Sequence, residues 1–227
     1  AERAKAAAAT DVAAPLDAIE SRLAALAASS APDPAGLDAA LRDTHDVSMR
    51  LGNIIAAAEL RAQNDSLLVE PADVAALLER SVSRLAPVAR SAGVTLDVSS
   101  PGSPLMADVH ADFTARVFGN VMDNAIRYAG RGGRVAIGLT AQPGARVFSL
   151  TIANSGPSIP DELFKGLTAV RRFRGDEGWN RRPHAPGLGL AVAREIADRS
   201  GLQIELRRPA AGGLEVEITA VHTPTRG

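Results

Sequence analysis

The sequence predicts an α+β chain in two parts, an alanine-rich helical hairpin followed by helices layered on a mostly antiparallel sheet. Three observations lead there. All seven aromatic residues (Phe113, Phe118, Tyr128, Phe148, Phe164, Phe173 and Trp179) lie beyond residue 112, whereas residues 1–63 hold 21 alanines and no aromatic. Apolar residues in the first part recur at alternating spacings of three and four, the mark of a helix seam. The second part instead mixes helical stretches with short β-branched runs separated by glycine and proline.

Composition narrows the classes further. A chain of 227 residues with 46% apolar and 22% charged side chains can bury a core in one large or two small domains. It has no cysteine, which excludes a thiol nucleophile, an iron–sulfur cluster and any Cys-based zinc site. With 25 Lys+Arg against 26 Asp+Glu, nothing suggests nucleic acid or an anionic lipid surface as a partner. No apolar run approaches the roughly 20 residues of a membrane helix, and the start of the chain lacks a signal peptide's pattern. The sequence therefore reads as cytoplasmic, and any membrane attachment would run through a segment outside it.

In the first part, Val12, Leu16, Ile19, Leu23 and Leu26 form a heptad seam on one helix. Pro15 removes an amide donor and crowds the carbonyl of Asp11, which predicts a kink there. Thr10 stands two positions before Val12 and so faces away from the seam. Prolines and a glycine across residues 29–36 break the pattern, with Asp33 or Asp38 available as the cap of a second helix. That helix repeats the seam at Leu37, Leu41, Thr44, Ser48, Leu51, Ile55 and Ala58, with His45 on its flank as a surface residue. Two such alanine-rich helices bury little between them, which favours a homodimer whose hairpins form a four-helix bundle.

In the second part, Glu70-Pro71-Ala72-Asp73 opens a helix carrying Val74, Leu77, Leu78, Val82 and Leu85, closed by Gly93 before a strand over residues 94–98. A helix follows near 112–129, then a glycine-rich turn at 130–133 and strands near 134–140 and 146–154. Residues 157–186, rich in proline, glycine and arginine, read as a long loop or lid. A helix from about Gly187 to Arg199 and strands near 202–207 and 214–220 complete the chain.

Three segments could carry chemistry. Asn120 and Asn124 lie one helical turn apart, so both amides share a face and could offer oxygen to a hard cation such as Mg²⁺; solvated asparagines are the plainer reading. Gly187-Leu188-Gly189 opens a helix where backbone amides and the helix dipole attract a phosphate, although no Walker lysine follows. Asn154-Ser155-Gly156-Pro157-Ser158-Ile159 ends a strand and by itself is an ordinary turn.

In order and spacing, these three segments resemble the N, G1 and G2 boxes of the GHKL ATPases, and within them the sensor histidine kinases of two-component systems. The run Asn120-Val121-Met122-Asp123-Asn124-Ala125-Ile126-Arg127-Tyr128-Ala129 looks like the family's Asn-Leu-x-x-Asn-Ala-x-Lys-Tyr, and Arg172-Phe173-Arg174-Gly175-Asp176 falls in its lid. Thr10-Asp11-Val12-Ala13-Ala14-Pro15-Leu16 aligns with His-Glu-Leu-Arg-Thr-Pro-Leu. The resemblance implies a dimerisation and phosphoacceptor hairpin over residues 1–63, and an ATP-binding α/β sandwich of the Bergerat type over residues 70–222. It implies ATP and Mg²⁺ as cofactors, a homodimer, and the receiver domain of a response regulator as partner. Asn120 and Asn124 would hold Mg²⁺, Arg127 and Tyr128 would meet the phosphates and ribose side, and Asn154, Gly156 and Ser158 would lie along the adenine. Gly187, Leu188 and Gly189 would close on the phosphate chain, and Lys165, Arg171, Arg172, Arg174, Arg181 and Arg182 suit a phosphate-facing lid as well as they suit a solvated loop.

Departures from the pattern matter as much as the matches. Thr10 stands where the family carries its phosphoacceptor histidine, beside Asp11 at the acidic helper's place, and a hydroxyl without a base is a far poorer nucleophile than neutral imidazole. Self-phosphorylation is therefore expected to be blocked at residue 10, with His45 as a lesser candidate acceptor and His110, His184 and His222 bland. Asn154 replaces the adenine-reading aspartate. Ser158 and Ala185 replace glycines and would restrict the backbone there. Two functions follow: the core of a sensor histidine kinase, or a pseudokinase scaffold that signals by conformation and docking. A remote ATPase acting on Ser/Thr fits less well, because such proteins usually lack the hairpin.

Overall fold

The computed structural model describes residues 33–62, 68–141, 147–169 and 188–220. The first hairpin helix with its kink at Pro15, Thr10 and Asp11, the lid arginines, Gly187, Ala185, His184 and His222 all lie outside the described residues.

Helix α1 (Pro34–Ala62) is the second limb of the expected hairpin. Asp33 caps it: the Gly36 N–H donates to Asp33 Oδ1 at 2.9 Å, with Pro34 at the first helical position, where its missing N–H is least costly. The seam residues Leu37, Leu41, Leu51 and Ile55 are exposed. The roughly opposite side, with Asn53, Ala56 and Leu60, is buried, and Ala56 and Leu60 belong to the main hydrophobic core.

Residues 70–73 are a strand, β1 (Glu70–Asp73), not the opening of a helix as the sequence predicts. The helix α2 (Val74–Ala92) starts one step later because Asp73 is its cap. Asp73 Oδ1 accepts from the N–H groups of Ala75 and Ala76 at 3.0 and 3.3 Å and also from Leu105 at 3.0 Å. That third bond draws in β3 (Met106–Val109), which pairs antiparallel with β1. Gly93, with φ of 70°, closes α2 in the left-handed conformation.

The main sheet holds β2 (Thr95–Ser99), β4 (Arg134–Ala141), β5 (Phe148–Asn154), β6 (Leu202–Arg207) and β7 (Glu215–Ala220) in the order β2-β4-β5-β7-β6. Only β2–β4 is parallel, as the mostly antiparallel expectation requires. Strand β5 alternates strictly, with Phe148, Leu150, Ile152 and Asn154 inward. Helices α2, α3 (Ala111–Ala129) and α5 (Leu188–Ser200) cover that face, where Phe118 meets Phe148 edge to face at 6.0 Å between ring centres. The expected lid contains a short helix, α4 (Asp161–Ala169), which the many prolines and glycines around it conceal.

Candidate nucleotide-binding site

The site is assembled around α3. Phe113, Val117, Phe118, Val121, Met122 and Ile126 bury its apolar face, which fixes the helix rotation and leaves Asn120, Asn124 and Tyr128 on one edge. The start of α5 lies against that edge. A Cβ on Gly189 would lie 3.6 Å from both Asn120 Oδ1 and Asn124 Nδ2, so the glycine-opened N-terminus of α5, begun at Leu188, meets the asparagine pair. The positive end of a helix dipole and a pair of amides thus lie side by side.

The third segment joins the other end of α3. A Cβ on Gly156 would fall 2.1 Å from the Tyr128 carbonyl oxygen and 2.6 Å from Asn154 Nδ2, so only glycine allows the end of β5 to lie against α3. Asn154 is buried; its Oδ1 accepts from the Leu214 N–H at 3.0 Å, and its own N–H donates to the Leu214 carbonyl at 3.1 Å. The carboxamide oxygen is therefore already engaged, with Nδ2 beside Gly156. Ser158 is exposed, and every positive φ among the described residues belongs to glycine. Serine therefore adopts the backbone at residue 158 without a left-handed φ.

An oxygen donor for a cation is present. Asn120 is 1% exposed, and its Oδ1 is buried without a hydrogen-bond partner, a position that a hard, oxygen-seeking ion such as Mg²⁺ fits. Among the described residues no cluster of three His, Asp or Glu side chains could hold a metal.

Sequence reasoning missed the face that α1 turns to this site. Asn120 Nδ2 donates to Asn53 Oδ1 at 2.9 Å. His45, expected on the surface, has a side chain only 11% exposed, and its Nε2 donates to Asp123 Oδ1 at 2.8 Å. Arg127 Nη2 lies 2.8 Å from Asp46 Oδ1 and 3.4 Å from Asp123 Oδ2. Burial pulls the Arg127 guanidinium down, but Asp123 and then Asp46 outweigh it and hold the group above its ordinary range. The one legible signal was a line of polar residues, Arg42, His45, Asp46 and Asn53, off the apolar seam. His110 stands at the N-cap of α3 without a side-chain cap bond, its ring tilted against Phe113 at 4.7 Å between centres. Lys165 lies on α4, 3.1 Å from Glu162, and Tyr128 is 46% exposed beside the asparagine edge.

Comparison with known proteins gives the family of this fold. Residues 109–224 match the family described as histidine kinase-, DNA gyrase B- and HSP90-like ATPases. The chain is 28% identical over 202 residues to the sensor protein QseC of Salmonella typhimurium, covering 84% of this chain and 41% of that protein. It is 29% identical over 169 residues to the sensor protein CutS of Streptomyces coelicolor, covering 70% of this chain and 38% of that one. It thus spans about two fifths of the length of these relatives. The histidine kinase AdeS of Acinetobacter baumannii shares the fold with a TM-score of 0.57 at 20% identity, over 91% of this chain and 94% of that one. No helix among the described residues is long and apolar enough to cross a membrane. A glycine-opened helix laid against two asparagines, with a family match over just that region, makes the chain a member of the histidine kinase-, DNA gyrase B- and HSP90-like ATPases, carrying the catalytic domain found in sensor histidine kinases.

Proposed function

We propose that the chain is the cytoplasmic catalytic core of a two-component sensor histidine kinase, which binds ATP with Mg²⁺ and transfers the γ-phosphoryl group to a histidine nitrogen, releasing ADP. The observation that carries this reading is the buried, unpartnered Asn120 Oδ1 facing the glycine-opened start of α5. Asn120 would hold the ion through Oδ1 and Asn124 through its own carboxamide oxygen, the end not turned to Gly189, and the bound ion would supply positive charge against the phosphate oxygens. The α5 N-terminus orients the phosphate chain through its amides, Asn154 and Gly156 line the base, and Arg127 with Tyr128 flank the ribose and phosphates. Residues 1–63 form the dimerisation hairpin, residues 70–222 the ATP-binding domain, and a response regulator's receiver domain accepts the phosphoryl group. Calorimetry with ATP and Mg²⁺ tests the binding half. Saturable, Mg²⁺-dependent binding is expected, and none at millimolar nucleotide would discard the kinase reading.

Thr10 favours a second reading for the chain as it stands, a scaffold that does not phosphorylate itself and signals by conformation and docking. The two readings separate in Thr10→His supplied with γ-labelled ATP. Acid-labile label on the variant marks a competent catalytic domain that lacks only its acceptor. Nucleotide binding with no transfer to either the Thr10→His variant or the unaltered chain marks the scaffold.

A further inference from the structure

We propose that Asn53, on the hairpin helix α1, is the positioning residue that decides which end of the Asn120 amide faces the cation. The inference rests on the reading above that Asn120 holds Mg²⁺. An asparagine amide rotated by half a turn exchanges oxygen and nitrogen at almost no steric cost, so a buried asparagine does not select an orientation by shape. Its hydrogen bonds must do so. Asn120 Nδ2 donates to Asn53 Oδ1 at 2.9 Å, in a bond 5% and 1% exposed at its two residues. With the nitrogen turned to α1, Oδ1 is left on the other side, within reach of Gly189 and without a protein partner. A hard cation takes that oxygen and rejects an amide N–H. The opposite rotamer, which an Asn53 amide turned to donate would stabilise, would present the wrong atom, so the end that Asn53 offers selects the end that Asn120 presents.

Asn53 comes from 67 positions earlier in the chain, so the cation site is complete only when α1 is docked. Docking is built from several contacts on the same face. Ala56 and Leu60 enter the core below Asn53. Gly52 leaves space that the Arg116 guanidinium fills, since a Cβ there would fall 2.6 Å from Arg116 Nη1. His45 and Asp46 pair with Asp123 and Arg127 further along α3, and Arg42 Nη1 donates to Ser91 Oγ at 2.6 Å on α2. Movement of α1 that breaks the Asn53 contact therefore weakens cation binding, and by linkage bound Mg²⁺ favours the docked helix. The hairpin acts on the nucleotide site through one amide.

The test is calorimetric titration of ATP into the whole chain at a series of Mg²⁺ concentrations, repeated in EDTA. For Asn53→Ala the Mg²⁺ needed for half of the effect is expected to rise about tenfold, the usual scale for losing a partner that orients a metal ligand, with binding in EDTA unchanged. Asn53→Asp keeps an acceptor that cannot donate, so its Mg²⁺ requirement is expected to stay at or below that of the unaltered chain. Thermal unfolding by circular dichroism checks that both variants fold. An unchanged requirement in Asn53→Ala would overturn the inference, and so would a lowered one, which would make α1 a barrier to the ion. Equal weakening in both variants would overturn it too, because it would mark a merely structural contact. Absence of Mg²⁺-dependent binding in the unaltered chain would instead remove the reading of the site, while leaving the Asn53–Asn120 bond as a structural one.

Discussion

Asn154 shows how one atom sets the behaviour of a site. Its oxygen accepts from the Leu214 N–H, so in the proposed reading, where this strand end lines the base, the other end of the amide is a donor, and the adenine amino group is itself a donor. Asn154→Asp keeps one oxygen for Leu214 and frees the other for the base. Calorimetry should show ATP binding tightened by about tenfold or more, since a hydrogen bond to a charged group contributes about 1.5–3 kcal/mol. Gly213 supports the same corner from behind. Its φ is 77°, and a Cβ there would lie 1.8 Å from the Asn154 carbonyl oxygen. Gly213→Ala is expected to lower unfolding stability in urea by at least ~2 kcal/mol and to weaken ATP binding with it, because strain and collision fall on the strand end that carries Asn154.

At the scale of elements, the sheet and the helices are held by different means. Strands β6 and β7 expose a polar face on which Arg207 Nη2 lies 2.6 Å from Glu217 Oε2 and 3.1 Å from Glu205 Oε2, while Ser149 on β5 donates to Glu217 Oε1 at 2.7 Å. The Ser149 bond first, and then Arg207, hold the Glu217 carboxyl below the usual carboxylate range against the opposing effect of burial. A depressed carboxyl binds its proton more weakly in the folded state than in the unfolded one. The stability it contributes is therefore present at neutral pH and is lost as pH falls through the folded value. Glu217→Gln should flatten this part of the acid limb in unfolding experiments run between neutral and acid pH, with little change in slope above it. The helical layer depends on packing: α3 reads as one continuous amphipathic helix, and its boundaries were legible almost to the residue. Strands β1 and β3 were not, because each is only four residues long and their pairing follows from the Asp73 bonds rather than from alternation.

For the whole molecule, α1 is a helix with two occupations. One side enters the core and the site, and the other leaves Leu51 44% and Ile55 45% exposed in line with Leu37 and Leu41. That free seam is where a second copy of the chain is expected. Leu51→Asp with Ile55→Asp should shift the chain toward monomer in sedimentation velocity, while thermal stability of the remaining fold changes little, because neither side chain is buried. The sequence by itself determined the α+β class, the strand-rich second part, the seam and the three segments of the site. Those are properties of local periodicity, of glycine's missing side chain, and of residue spacing on one helix. Only the tertiary structure decided that α1 docks by its polar side, that the His45 side chain is largely covered against Asp123, that Asp46 and Asp123 engage Arg127, and that Asn53 accepts a hydrogen bond from Asn120. Such contacts pair single side chains across many positions of chain, and no repeat in the sequence marks them. Their partners are fixed by how the apolar faces of α1, α2, α3 and α5 come together, since packing sets the rotation of each helix and with it which polar atoms meet.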